Sequence, residues 1–331
     1  MTLLRWQSSE TPDVTYNVYR SDTPWFVPEA ANLIASGITA NSWSDYNLNY
    51  GETFYYKVTA VKQLNGHFRE SLPSNEAWAT VVDEGELDKR LGLQNYWSYS
   101  GFGTGSGTGY INVSNGNLAY ISTDMILQDP FLAVVMRRTY NSLACTKTPL
   151  GYGWDFSLNT RLFKAYDENG NETAMILKDG DGSFHRFEKT GSDTYASAKG
   201  TLMTLTLNTG LGAYQIRRKD NITYHFDAQT MLLTEFSDHN GNILAFRYDS
   251  RGNLSEVENT VGDKLTLSYY VVDENLQIVQ ISDPDYVYVN AHADLLQSIS
   301  WTEDTTSNPV TITYNYARSE EHTSELQSPN T

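Results

Sequence analysis

Between Leu202 and Tyr269 apolar and polar residues alternate with a period of two, the mark of strands that bury one face. The runs are Leu202–Leu207 (LMTLTL), Ile222–Phe226 (ITYHF), then Leu244, Phe246, Tyr248 and finally Leu265, Leu267, Tyr269. Between them the pattern breaks at Asp238-His239-Asn240-Gly241 and Val261-Gly262-Asp263, where a hairpin must turn. The same alternation occurs at Leu132, Val134 and Met136 and returns at Val310, Ile312, Tyr314 and Tyr316. No long stretch carries an apolar stripe at i, i+3, i+4, and Pro28–Gly37 is the best candidate for a short helical turn. The pattern predicts an all-β chain of short strands and tight turns.

Phe226–Tyr269 is self-similar. An aromatic-Asp pair opens each half, Phe226-Asp227 and then Tyr248-Asp249, and a leucine follows six positions after the aromatic, Leu232 and Leu254. Each half then has a glycine turn, Gly241 or Gly262, and a closing alternating run that ends at Tyr248 or Tyr269. Gly252 stands four residues after its aromatic, where the first unit has Thr230, and the first unit is one residue longer in its middle. A unit of 21 to 22 residues cannot bury its own apolar face, so such units must stack.

This order of residues resembles the YD repeat of the Rhs/YD-repeat family. A second stretch, Tyr110–Asn159, resembles the segment that leads into the repeats of Rhs-type proteins. Its marks are Gly116-Asn117-Leu118, the run Arg138-Thr139-Tyr140-Asn141-Ser142, and Gly151-Tyr152-Gly153-Trp154. The resemblance implies a large bacterial secreted or cell-surface protein whose repeats coil into a hollow β shell. That shell encloses a C-terminal toxin, released after self-cleavage near its end. On this reading the chain is a structural or delivery part without catalysis, cofactor or metal of its own, and its partner is the rest of the parent chain.

Residues 1–82 resemble a fibronectin type III module. Leu4-Arg5-Trp6 looks like its second strand with the core tryptophan, and Tyr16 to Arg20, with Val18, like its third. Leu48 followed by Phe54, Tyr56 and Val58 fits the corner and sixth strand, although Phe54 stands where a corner tyrosine is usual. Trp6 arrives early and the first strand is missing, so the expected architecture is a truncated fibronectin-III-like β-sandwich followed by stacked β-hairpins of an incomplete Rhs/YD-repeat shell. Met1 then reads as an internal start in a longer parent, which accounts for the lack of a basic and apolar leader.

Residues 83–108 read as a linker, acidic at Asp83, Glu84 and Glu86 and then rich in Gly, Ser and Thr (GFGTGSGTG, Gly101–Gly109). Its glycines lack the spacing of a dinucleotide loop, and no P-loop lysine follows. Residues 109–317 hold the lead-in and the repeats. From Arg318 the character changes: RSEEHTSELQS back-translates onto a common sequencing adapter, so residues 318–331 are set apart as an artefact tail.

Charge narrows the partners further. A net charge of −17 over 331 residues argues against nucleic acid, which needs clustered Lys and Arg. No apolar run is long enough to cross a membrane as a helix. Exposed tyrosines, of 23 in all, would suit stacking on cell-surface carbohydrate, the basis of an adhesin alternative. A carbohydrate-active enzyme fragment is a third reading, because fibronectin modules accompany such enzymes. The lone Cys145 excludes an internal disulfide.

Candidate chemistry is thin. Asp167-x-Asn169-Gly170-Asn171 and Asp238-x-Asn240-Gly241-Asn242 resemble the start of a calcium loop, but glycine is fourth rather than sixth and the twelfth residues are Lys178 and Asp249. Turn chemistry accounts for them. His67, His185, His225, His239 and His292 are scattered, and His185 and His225 read as outward strand residues. Asn112, Asn171, Asn221 and Asn253 head glycan-acceptor triplets, which matter only in a eukaryotic secretory pathway.

Overall fold

The structure is a computed structural model, and it describes the chain except residues 1, 24, 47, 49–52, 65, 81–88, 128–131, 168–170, 198–199, 250–251, 271–294, 303–308, 319–323 and 327–331. Part of the corner at 48–51, the acidic run Asp83, Glu84 and Glu86, the middle of the Asp167 loop, His292 and most of the adapter-like tail therefore lie outside the described residues. The chain divides into two compact units, residues 1–83 and 84–331. Among the described residues every regular element is a strand except one three-residue 3-10 turn.

The first unit contains β1 (Thr2–Arg5), β2 (Thr15–Ser21), β3 (Leu33–Ile38), β4 (Ser42–Asp45), β5 (Thr53–Leu64), β6 (His67–Glu70) and β7 (Ala77–Thr80). β1 pairs with β4, and a second sheet runs β3-β2-β5-β6 with β7 also on β5. Val18, Phe54 and Tyr56 form the buried centre, with Trp6, Leu48 and Val58 packed against it. Tyr16 is buried and meets the Trp6 ring edge-on at 5.4 Å. The helical turn expected over Pro28–Gly37 is confined to Ala30–Asn32. The rest is β3, because Ile34, Ala35 and Ile38 pack on the Val18 centre while their backbone pairs with β2.

The second unit begins with a five-stranded sheet. Its elements are β8 (Tyr99–Gly103), β9 (Thr108–Asn112), β10 (Leu118–Leu127), β11 (Val134–Asn141) and β14 (Trp154–Phe156), in the order β14-β11-β10-β9-β8. The short pair β12 (Lys147–Thr148) and β13 (Gly151–Tyr152) lies between β11 and β14 in the chain. This corrects the linker expectation. The Gly/Ser/Thr stretch is the β8–β9 hairpin, with Phe102 opposite Gly109. Gly109 is required there, since a Cβ on it would come within 2.2 Å of the Phe102 ring. Glycine here makes room for an aromatic on the neighbouring strand rather than loosening the chain.

Next come β15 (Arg161–Tyr166), β16 (Glu172–Lys178) and β17 (Phe184–Glu188), a three-stranded sheet covered on both faces. Met175 and Leu177 enter the main core, while Ala174 and Ile176 pack with Ala165 and Phe184 on the other side. The repeats then form one sheet of nine strands in chain order. They are β18 (Thr204–Asn208), β19 (Ala213–Arg217), β20 (Thr223–Asp227), β21 (Leu233–Ser237), β22 (Ile243–Tyr248), β23 (Leu254–Asn259), β24 (Lys264–Tyr269), β25 (Leu296–Thr302) and β26 (Val310–Thr313). A last pair joins β27 (Tyr316–Arg318) to β28 (Ser324–Leu326). The alternation read from the sequence gives the inner face: Tyr224, Phe226, Leu244, Phe246, Leu265 and Leu267 are buried in the same core as Met136, Phe156 and Phe187.

One turn recurs along this meander. At 218–222, 238–242, 249–253 and 259–263 the first residue's N–H donates to the fifth residue's carbonyl, and the fourth residue's N–H donates back to the first's. The fourth residue is left-handed each time: Asn221 (φ 62°), Gly241 (84°), Gly252 (78°) and Gly262 (93°). This is a three-residue hairpin loop closed by a left-handed residue.

The first repeat departs from the expected alignment. Its turn spans six residues, from the Asp227 N–H to the Leu232 carbonyl, and Met231 (φ 60°) takes the left-handed place. Met231, not Thr230, is thus the counterpart of Gly252. The extra residue also moves the buried leucine. Leu233 lies opposite Phe226 as Leu254 lies opposite Tyr248, and both are buried. Leu232, expected to define the repeat, is half-buried and bridges to Arg161 instead.

Candidate functional site

The β10–β11 ladder sets Tyr140 opposite Tyr120 and Asn141 opposite Ala119, and β14 extends the row by placing Trp154 opposite Tyr140. That register gathers the lead-in motifs, which lie apart in the chain. Asn141, fully enclosed, accepts from the Gly92 N–H (2.8 Å) and from Asn117 Nδ2 (2.9 Å), and its own Nδ2 donates to the Asp181 carbonyl (2.9 Å). Asn117 reaches it because Gly116 turns the chain at φ 79°. Gly153, at φ 76°, lies against Tyr140, where a Cβ would come within 2.7 Å of the ring. Gly151 is left-handed as well, at φ 92°.

Arg138 is the buried cation of this cluster. Its Nε lies 2.6 Å from Asp124 Oδ2, and its guanidinium sits 5.4 Å over Trp154 and 5.9 Å from the Tyr314 ring. Tyr314, near the far end of the described chain, donates its hydroxyl to the same carboxylate oxygen at 2.8 Å. Burial, with Asp124 beside it, pushes the Tyr314 hydroxyl well above its ordinary pKa, so it stays a donor. The cluster therefore ties the lead-in to the last strands of the meander.

A cavity of about 830 Å³ opens nearby, lined by Arg137, Asp179, Asp181, His185, Arg218 and Tyr224 among others. Asp181 is committed to the fold: Oδ1 accepts from the Ser183 N–H (2.9 Å) and hydroxyl (2.6 Å), and Oδ2 from the Leu93 N–H (2.9 Å). Burial, and then the Asp181 charge, push the Asp179 carboxyl up to about 6, while Arg218 at 3.6 Å opposes the shift. Burial pushes His185 down to about 4, leaving a neutral ring at neutral pH. His185 corrects an expectation, for it is not an outward residue. Phe184 and Phe187 are three apart, so alternation could not choose the inner face, and β17 turns His185 and Phe187 inward together. His225 does lie on the polar face, between Gln215 and Ser237. The cavity can exchange a proton at Asp179 and hold a polar group, while Asp181 is taken up by its hydrogen bonds and Asp220 lies 3.6 Å from Arg218.

Among the described residues no group of three or more His, Cys, Asp or Glu sits where it could hold a metal ion. The Asp238 carboxylate accepts from the Asn240 N–H (2.8 Å), the Asn242 N–H (2.9 Å) and Asn242 Nδ2 (2.8 Å). Asp227 and Asp249 serve their turns in the same way. The repeat-marking acids thus hold turns, and Tyr248 and Tyr269 pack against the core behind them. No local pattern marks Asp124, Asp155, Lys178 or Asp181, each of which has a partner between 14 and 190 residues away.

Known proteins resemble this chain. Residues 108–187, from β9 into β17, match the domain of unknown function DUF6531. The chain is 26% identical over 214 residues to the tRNA nuclease WapA of Bacillus subtilis strain 168 and, at the same identity, to the tRNA3(Ser)-specific WapA of Bacillus spizizenii. That alignment takes 64% of this chain but 8% of the relatives' length. The Tc holotoxin pore of Photorhabdus luminescens aligns at a TM-score of 0.40 and 15% identity, over 74% of this chain and 16% of that one. The DUF6531 match and the WapA likeness are consistent with an Rhs-like protein. No helix among the described residues is long and apolar enough to cross a membrane.

Proposed function

We propose that the chain is a non-catalytic structural part of a larger bacterial secreted or cell-surface protein of the Rhs/YD-repeat type. It contributes to a β shell that encloses and delivers a C-terminal toxin in competition between cells. The observation that carries this is the nine-stranded meander built on one recurring turn, preceded by a lead-in locked to its last strands through Arg138, Asp124 and Tyr314. A unit of this kind gains length by adding hairpins, as stacked repeats do. The WapA likeness supports the same assignment, in which the present chain, matching 8% of those nucleases' length, supplies framework.

Two measurements test the proposal. Reading the parent gene past the Ala317 codon is expected to show further YD repeats and then a variable C-terminal domain. An early stop codon, or repeats followed by a wall anchor, would instead favour a surface adhesin. Incubating the purified chain with tRNA is expected to leave the RNA intact, and cleavage would overturn the non-catalytic reading.

A further inference from the structure

Asp155 on β14 and Lys178 on β16 face one another between two different sheets, both nearly without exposure. The Lys178 ammonium contacts Asp155 Oδ2. The other oxygen, Oδ1, accepts from the Phe156 N–H at 2.9 Å and from Asn159 Nδ2 at 2.8 Å. Beside the pair lies a cavity of about 20 Å³, lined by Asp155, Lys178, Thr148, Trp154 and Phe184 among others. A volume of that size holds one water molecule. The arrangement contains an amine, a carboxyl carbon, two donors on the oxygen that would carry developing charge, and room for the leaving group.

We propose that Lys178 and Asp155 condense into an intramolecular isopeptide bond that staples the five-stranded sheet to the three-stranded one. The ammonium first passes a proton to Oδ2, giving a neutral amine and a neutral acid. Burial favours that exchange, because it holds the Asp155 carboxyl above its ordinary pKa even with Lys178 beside it. Lys178 Nζ then attacks Asp155 Cγ and the N–C bond forms. The negative charge gathers on Oδ1, where the Phe156 and Asn159 donors are already placed. The Cγ–Oδ2 bond breaks, and Oδ2 leaves as water with the proton it first received and a second one from Nζ. The remaining ammonium proton stays on the amide nitrogen, so the step balances without an oxidant or a co-reactant. Fixed proximity replaces an encounter in solution, and the product removes two buried charges.

The test is the intact mass of the purified, folded full-length chain, measured after denaturation. The expected value lies below the sequence mass by one water molecule. Digestion and fragmentation are expected to yield a branched peptide joining the Asp155 segment to the Lys178 segment. Lys178→Arg and Asp155→Ala should each return the chain to its full sequence mass. Wild-type protein that is folded by circular dichroism yet has its full sequence mass overturns the proposal. A water loss that maps to a succinimide at Asp179-Gly180 or Asp181-Gly182 also overturns it. Should a variant fail to fold, the wild-type mass and the branched peptide decide the question alone.

Discussion

The meander and the five-stranded sheet are made of the same kind of short strand, but they are closed by opposite means. In the meander a turn is completed within itself, as Asp238 is by the N–H groups of Asn240 and Asn242 and Gly241 by its left-handed φ. In the five-stranded sheet the motif residues are completed from far away. Asn141 joins Gly92, Asn117 and Asp181, and Arg138 meets Asp124 and, through it, Tyr314. The repeats therefore carry their instructions locally, whereas the lead-in has meaning only once the chain has folded back on it.

The largest effect should come from removing one member of the buried cluster. Arg138→Met leaves Asp124 buried with the Tyr314 hydroxyl as its hydrogen-bond partner among the described residues, and the expected loss is about 4 kcal/mol. The matching change in the meander is Arg247→Met, which breaks an exposed pairing with Glu256 and Glu258 and should cost about 0.5 kcal/mol. Urea unfolding of both variants measures the two losses. Comparable losses would erase the distinction between the regions.

A glycine pair sharpens the contrast. Gly153 and Gly241 have nearly the same left-handed φ, but Gly241 has open space where a Cβ would go and Gly153 has the Tyr140 ring. Gly241→Ala should therefore cost the conformational term alone, about 1 kcal/mol. Gly153→Ala adds overpacking, for about 3 kcal/mol in all. Thermal melts of the two variants separate these terms.

How much of this was legible follows the same division. Inner faces along the meander could be read directly, because alternation needs no partner: Tyr224, Phe226, Leu244 and Phe246 point inward as the pattern requires. Where the sequence misled, a local rule met a distant neighbour. Glycines at 101–109 read as flexible because the neighbours that two of them accommodate, the Phe102 ring at Gly109 and Tyr120 with the Ile121 carbonyl at Gly107, are seen only when the strands pair. Leu232 read as the repeat-defining leucine because counting from Phe226 does not register the longer turn. At the site, Arg138 and Asn141 were picked out by resemblance, yet nothing near them in the chain names Asp124 or Asp181 as partners.

Acidity should act in opposite directions on a meander carboxylate, Asp227, and on Asp179 in the loop between β16 and β17. The Asp227 carboxylate is held below its ordinary range, chiefly by the Thr230 backbone N–H, so its contribution is present above about pH 4 and fades as pH falls. Asp179 behaves the other way. Its folded value near 6 exceeds the ordinary 3.8, so its contribution is full below about 4 and is lost as pH rises through 6. Asp179→Asn should thus stabilise the protein at pH 7 relative to pH 4. The expected difference is on the order of 2 kcal/mol, reduced because a fifth of the side chain remains exposed. Unfolding curves of wild type and variant at the two pH values isolate this group, and parallel profiles would remove Asp179 from the account.

The smallest effect should come from a residue that the sequence marks most clearly. Asp227 opens the first repeat and accepts from the N–H groups of Gln229 and Thr230 and from the Thr230 hydroxyl. Those donors lie at the surface, so Asp227→Ala hands them to water rather than leaving them buried and unpaired. The backbone closure between Asp227 and Leu232 does not use the carboxylate and should persist. A loss of about 0.5 kcal/mol is expected by urea unfolding, well short of the Arg138→Met loss. If Asp227→Ala proves as costly as Arg138→Met, the turn does more than hold its own hairpin. Stability would then run through the repeat turns as well as the buried cluster, and the division between local and long-range closure would no longer hold.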